Sequence, residues 1–126
     1  MAFQARIGFV NENVQKDFTE RLLPKLPGSR LVEEAAPAPD DEVFTHWTPI
    51  SISSPTAARD LCHQLTGFLN HHRQSGLLLQ WKGGDESDQS IQLTGQQQAS
   101  EIAGMRLSAA VKAHNDAEKA AAKAAG

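Results

Sequence analysis

The sequence predicts an α+β fold, a ferredoxin-like split β-α-β sandwich with an added hairpin strand and a C-terminal helix. Three observations lead there. Short apolar runs and helical stripes follow one another in the order strand, helix, strand, strand, helix, strand, strand, helix. The chain has 126 residues, 40% apolar and 21% charged, which is the size and composition of one globular core. A long stretch opening at Ser54-Pro55 carries a broad apolar face of the kind that packs on a sheet.

The elements are justified in chain order. Arg6 to Val10 is apolar and stopped by Asn11-Glu12-Asn13, whose Asn side chains suit a turn or a helix cap. Gly8 inside this strand marks a bulge and supports no dinucleotide fingerprint. Val14, Phe18, Leu22 and Leu26, with Leu23 beside them, form one stripe, so a helix runs from Val14 to about Leu23. Pro24 and Pro27-Gly28 end it, because proline lacks the amide donor and glycine suits the turn. Arg30 to Glu33 reads as a second strand, followed by the proline-rich acidic loop Ala35 to Glu42. From Phe44 to Ile52 the β-branched and aromatic residues predict a third strand with Phe44, Thr48, Ile50 and Ile52 on one face. Pro49 places this strand at an edge or a bulge, since proline cannot donate to a ladder.

Ser54 is an N-cap and Pro55 the first helical residue of the next element. Ala57, Ala58, Leu61, Cys62, Leu65, Phe68 and Leu69 recur at spacings of three and four through about Gln74, and Ser75-Gly76 closes the helix. Leu77 to Trp81 reads as a central strand, apolar on both faces, and Gly83-Gly84-Asp85 turns it into Ser90 to Leu93. Thr94 or Gly95 opens the last helix, with Ala99, Ile102, Ala103, Leu107, Ala110 and Val111 on one stripe to about His114. Residues 1–114 thus make one domain, and 115–126 an Ala/Lys-rich tail, helical or disordered. Leu31, Ile50 and Leu79 are expected to face the helices.

Charge and composition then restrict the function classes. A net charge of -3, with twelve Lys and Arg residues scattered among fifteen acids, offers no field for a polyanion, and no nucleic-acid partner is expected. The run Gly76 to Leu79 falls far short of the roughly 20 residues that span a bilayer, and the first residues lack a signal-peptide layout. No membrane partner and a cytoplasmic location are the expectation. The lone cysteine, Cys62, agrees with a reducing compartment and has no resolving partner.

Catalytic constellations fare poorly. Cys62, His63, His71 and His72 share one helix, but Cys62 and His71 are nine residues apart and cannot face one ion, so no metal site is expected. Cys62 falls on the buried stripe, where a thiol stays protonated, and no Gly-x-Ser-x-Gly turn is present. Gly83 to Asp88 fits neither a calcium loop nor a phosphate loop and reads as a solvated hairpin turn. No catalytic residue, metal or cofactor is assigned. The candidate binding residues are Trp47 and Pro49, an aromatic beside a proline on an edge-like strand, and the acids Asp40, Asp41 and Glu42. Trp81 reads as core.

With the helix ending at Leu26-Pro27-Gly28, strand Arg30 to Glu33, loop Pro37-Ala38-Pro39, long helix closing on Phe68-Leu69 and hairpin ending Ile91-Gln92-Leu93, the chain resembles the bacterial effector-associated constant component family. The resemblance spans roughly Val14 to Thr94; it lacks the family's turn after the proline loop and has Phe68 where a tryptophan is common. It implies a non-enzymatic adaptor that couples a protease or other effector in a bacterial conflict or antiphage defence system. Two alternatives stand beside it. One is a small inhibitor or immunity-type protein that meets a basic enzyme surface through its acidic loop. The other is a dimeric ferredoxin-like enzyme with His46 as general base, and self-association stays open in both the adaptor and the enzyme readings.

Overall fold

A computed structural model of the chain describes residues 3–32, 43–72, 76–82 and 88–125. The proline loop, the acids Asp40, Asp41 and Glu42, and the turn at Gly83-Gly84 lie outside the described residues. Five strands, β1 (Phe3–Phe9), β2 (Ser29–Leu31), β3 (His46–Ile52), β4 (Leu77–Lys82) and β5 (Asp88–Leu93), form one sheet in the order β2-β3-β1-β4-β5. Every neighbouring pair is antiparallel. Helices α1 (Glu12–Asp17), α2 (Pro55–His72) and α3 (Gln97–Ala125) complete an α+β sandwich of the predicted ferredoxin-like order, with β5 and α3 as the additions.

Alternation along the strands sorts the sheet into two unlike faces. Phe3, Ala5, Ile7 and Phe9 of β1 align with Ile52, Ile50 and Thr48 of β3 and with Leu79 and Trp81 of β4, all buried under the helices. Trp81 is core, as expected, with the Arg106 guanidinium 5.7 Å from its ring centroid. On the opposite face Gln4, Arg30, Lys82, Ser90 and Gln92 are exposed, and Arg6, Trp47, Pro49, Leu78 and Gln80 half-buried. The strand β4 is therefore apolar but sealed on one face only, because the helices lie on one side of the sheet and β5 pairs along its edge.

Strand order corrects the reading of Pro49. β3 is an interior strand, between β2 and β1, and not an edge. It tolerates proline because its odd-numbered residues turn their main-chain groups toward β2: Val32 N–H donates to the Pro49 carbonyl at 3.0 Å and Ser53 N–H to the Gly28 carbonyl at 2.8 Å. The missing donor of Pro49 therefore faces the place where β2 ends, and the β1–β3 ladder loses nothing. Phe44 is a further correction. It precedes β3, and its Cβ lies on the side of Gly8 that Trp47 covers, away from the face of Thr48, Ile50 and Ile52.

The first helix holds to its stripe by changing its winding. Asn11 caps it, accepting from Val14 N–H at 2.9 Å. The α-helical turn passes into a π turn over Phe18–Leu22, closed by a bond from Leu23 N–H to the Phe18 carbonyl. That step of five brings Leu23 to the buried side with Val14 and Phe18. Pro24 does not end the segment; it sits in a 3-10 turn, Leu23–Lys25, where its lack of an amide donor costs nothing.

The second helix opens as expected, with Ser54 Oγ accepting from Ala57 N–H at 3.1 Å. It buries Ala57, Ala58, Leu61, Cys62, Leu65 and Leu69, and Phe68 packs edge-on to Phe18 with ring centroids 6.1 Å apart. Each fully buried leucine of this face contributes roughly 1.5–3 kcal/mol, so the stripe dominates the stability of the helical layer. α3 packs along α2 through Ala103, Leu107 and Val111, and Arg59 Nε donates to Ser108 Oγ at 3.3 Å. Ile102 departs from the predicted stripe and is exposed: the buried side of this helix is Ser100, Ala103, Gly104, Leu107, Ser108 and Val111, with Gly104 and Ser108 against α2, and at helical period Ile102 falls opposite it. The helix continues unbroken through 115–125. Among the described residues no helix is long and apolar enough to cross a membrane.

Candidate interaction surfaces

Two surfaces carry features that the core does not account for. The first is the solvent-facing side of the sheet around Trp47. Gly8, opposite Trp47 in the ladder, is no bulge: its pairing with Trp47 and Leu78 is regular. Its hydrogen makes room for the indole, since a Cβ there would lie 2.9 Å from Trp47 Cη2. Gln15 of α1 fixes the strand beneath by donating from Nε2 to the Trp47 carbonyl and to Thr48 Oγ1, both at 3.1 Å. The indole Nε1 is shut off from solvent and has no acceptor among the described residues. Pro49 lies two residues on, half-buried on the same face.

The second surface is a cleft of about 430 Å³ where the π and 3-10 turns meet β2, walled by Thr19, Leu23, Pro24, Leu26, Pro27 and the strand Gly28 to Leu31. Gly28 makes its sharp entry to β2 at φ +84, a conformation that favours glycine. Ser29 is only 4% exposed and its hydroxyl has no hydrogen-bond partner. Leu31, expected under the helices, is 49% exposed: it occupies the core-facing column beside Ile50, but β2 is the outermost strand and lies past the helical cover. Nothing in the periodicity flagged this cleft. The clustering Leu23-Pro24-Lys25-Leu26-Pro27-Gly28, two prolines and a glycine before a very short strand, was the available signal.

The remaining candidates disperse. Cys62 is fully buried, and burial pushes its thiol up to about 12 from an ordinary 9.0. His63 and His71 are exposed, and His46 stands at the start of β3 with Nδ1 2.9 Å from Thr45 Oγ1, apart from the cleft. Among the described residues no three metal-ligating side chains converge. His72 does have a structural contact that sequence reasoning missed: its Nε2 lies 2.6 Å from Asp17 Oδ2, tying the end of α2 to α1, while Arg21 holds the other oxygen at 3.1 Å. The partners are 55 residues apart, a separation that no local spacing reports. Compared with known protein families, curated proteins and solved structures, the chain has no match.

Proposed function

We propose that this chain is a non-enzymatic protein–protein interaction adaptor whose partner docks on the solvent-facing side of the sheet around Trp47 and Pro49. The observation that carries the reading is the indole itself. A large, half-buried aromatic, seated over Gly8 of the central strand on the face opposite the helices, has the makeup of an interface anchor. The resemblance to the effector-associated family extends the proposal to its role: coupling a protease or other effector in a bacterial conflict or defence system.

The test is size-exclusion chromatography of the chain with the proteins encoded beside it, wild type against Trp47→Ala. Co-elution that Trp47→Ala weakens by about tenfold or more supports the reading, since interface tryptophans carry such energies. A Trp81→Phe background leaves Trp47 as the single reporter, and its emission shifts on binding. Co-elution indifferent to Trp47, or none at all, defeats it.

A further inference from the structure

The outer edge of β2 is a second, chemically distinct surface, and we infer that it takes an extended acidic peptide strand from a protein partner. The inference rests on the interaction reading above but on different residues.

The main chain dictates the shape of the occupant. Gly28, Arg30 and Val32 turn their hydrogen-bonding groups toward β3, so those of Leu31 point out of the sheet. Among the described residues Leu31 N–H and C=O have no partner, and its apolar side chain stands half in solvent beside them. Ser29 N–H is taken by the Leu26 carbonyl at 3.5 Å, so Leu31 offers the outward donor and acceptor of this edge, a pair that another extended backbone matches. The cleft walled by Leu23, Pro24 and Leu26 runs along the same edge and receives an alternate side chain of that added strand.

Charge selects the chemistry. Residues 19–31 carry Arg21, Lys25 and Arg30 against the single acid Glu20, in a chain whose net charge is -3. Lys25 and Arg30 are exposed and have no carboxylate partner among the described residues, whereas Arg21 is held by Asp17. A local cationic edge on an acidic protein draws an acidic segment and repels a basic one.

The experiment uses the whole chain and a short capped peptide of alternating glutamate and valine, with the lysine–valine and backbone N-methylated peptides as controls. Amide exchange by NMR reads the edge directly. The glutamate peptide slows exchange at the Leu31 amide by about tenfold or more, and neither control does. The paired substitution Lys25→Glu and Arg30→Glu, on exposed side chains, weakens binding by about tenfold. Leu31→Pro removes the outward amide and abolishes binding; should that variant not fold, the N-methylated peptide still decides. Equal binding of the lysine peptide, or unchanged exchange at Leu31, overturns the inference. So does a Leu31 amide already protected in the free protein, whether by a second copy or by the chain's own acidic stretch. Partner binding that stays sensitive to Trp47→Ala while these measurements fail leaves the adaptor reading intact and removes only the edge.

Discussion

Cys62 lies where α3 presses closest on α2, its Cβ 3.8 Å from where Gly104 would carry one. A thiolate there would be stripped of water, which is why its proton is held to about 12 while the unfolded chain releases it near 9.0. The sign of the consequence follows from counting protons. Below pH 9 both states are protonated and nothing depends on pH; between those values the unfolded state alone ionises, so stability falls as pH rises, by about 4 kcal/mol at most. Urea midpoints for wild type and Cys62→Ala, from neutral pH to about pH 11, should show the wild-type advantage shrinking with alkalinity. A constant difference would show that burial does not hold the proton. Gly8 makes the complementary point: what mattered there was not backbone freedom but the absence of a Cβ beneath Trp47.

Among the elements, α2 shows how much a local cap can specify. The Ser54 hydroxyl satisfies an amide that the helix leaves unpaired, and Pro55 follows where no amide is needed. Ser54→Ala should cost about 1 kcal/mol with an unchanged dependence on denaturant, checked by urea unfolding. The segment after β1 shows the opposite case. Its apolar residues run 14, 18, 23, a step of four and then of five, and a π turn absorbs the extra residue so that Leu23 remains buried. The winding changes at Leu23, where the helix was expected to end, and a 3-10 turn carries it on to Lys25, because Pro24 suits the first turn of such a segment.

Over the whole molecule, α3 extends beyond the layer it covers. Its contacts with the body include His114, whose ring lies 5.8 Å from that of Phe3, and Asn115, which donates to the Ser53 carbonyl at 3.1 Å. Ending the chain after Asn115 should lower stability by less than about 1 kcal/mol, whereas ending it before Val111 uncovers the core; thermal unfolding distinguishes the two. Among the described residues the helices lie on one side of the sheet, which leaves the face bearing Trp47 and Pro49 opposite them.

The order of elements, the Asn11 and Ser54 caps and the α2 stripe of Leu61, Cys62 and Leu65 were legible in the amino-acid sequence, because each depends on residues within a few positions of one another. Strand order was not. It put Pro49 in the interior, exposed Leu31, built the cleft beside Gly28 and brought His72 to Asp17. Those outcomes depend on which distant segments share a sheet or a layer, and a residue's period states only that it has a face, never what will cover it.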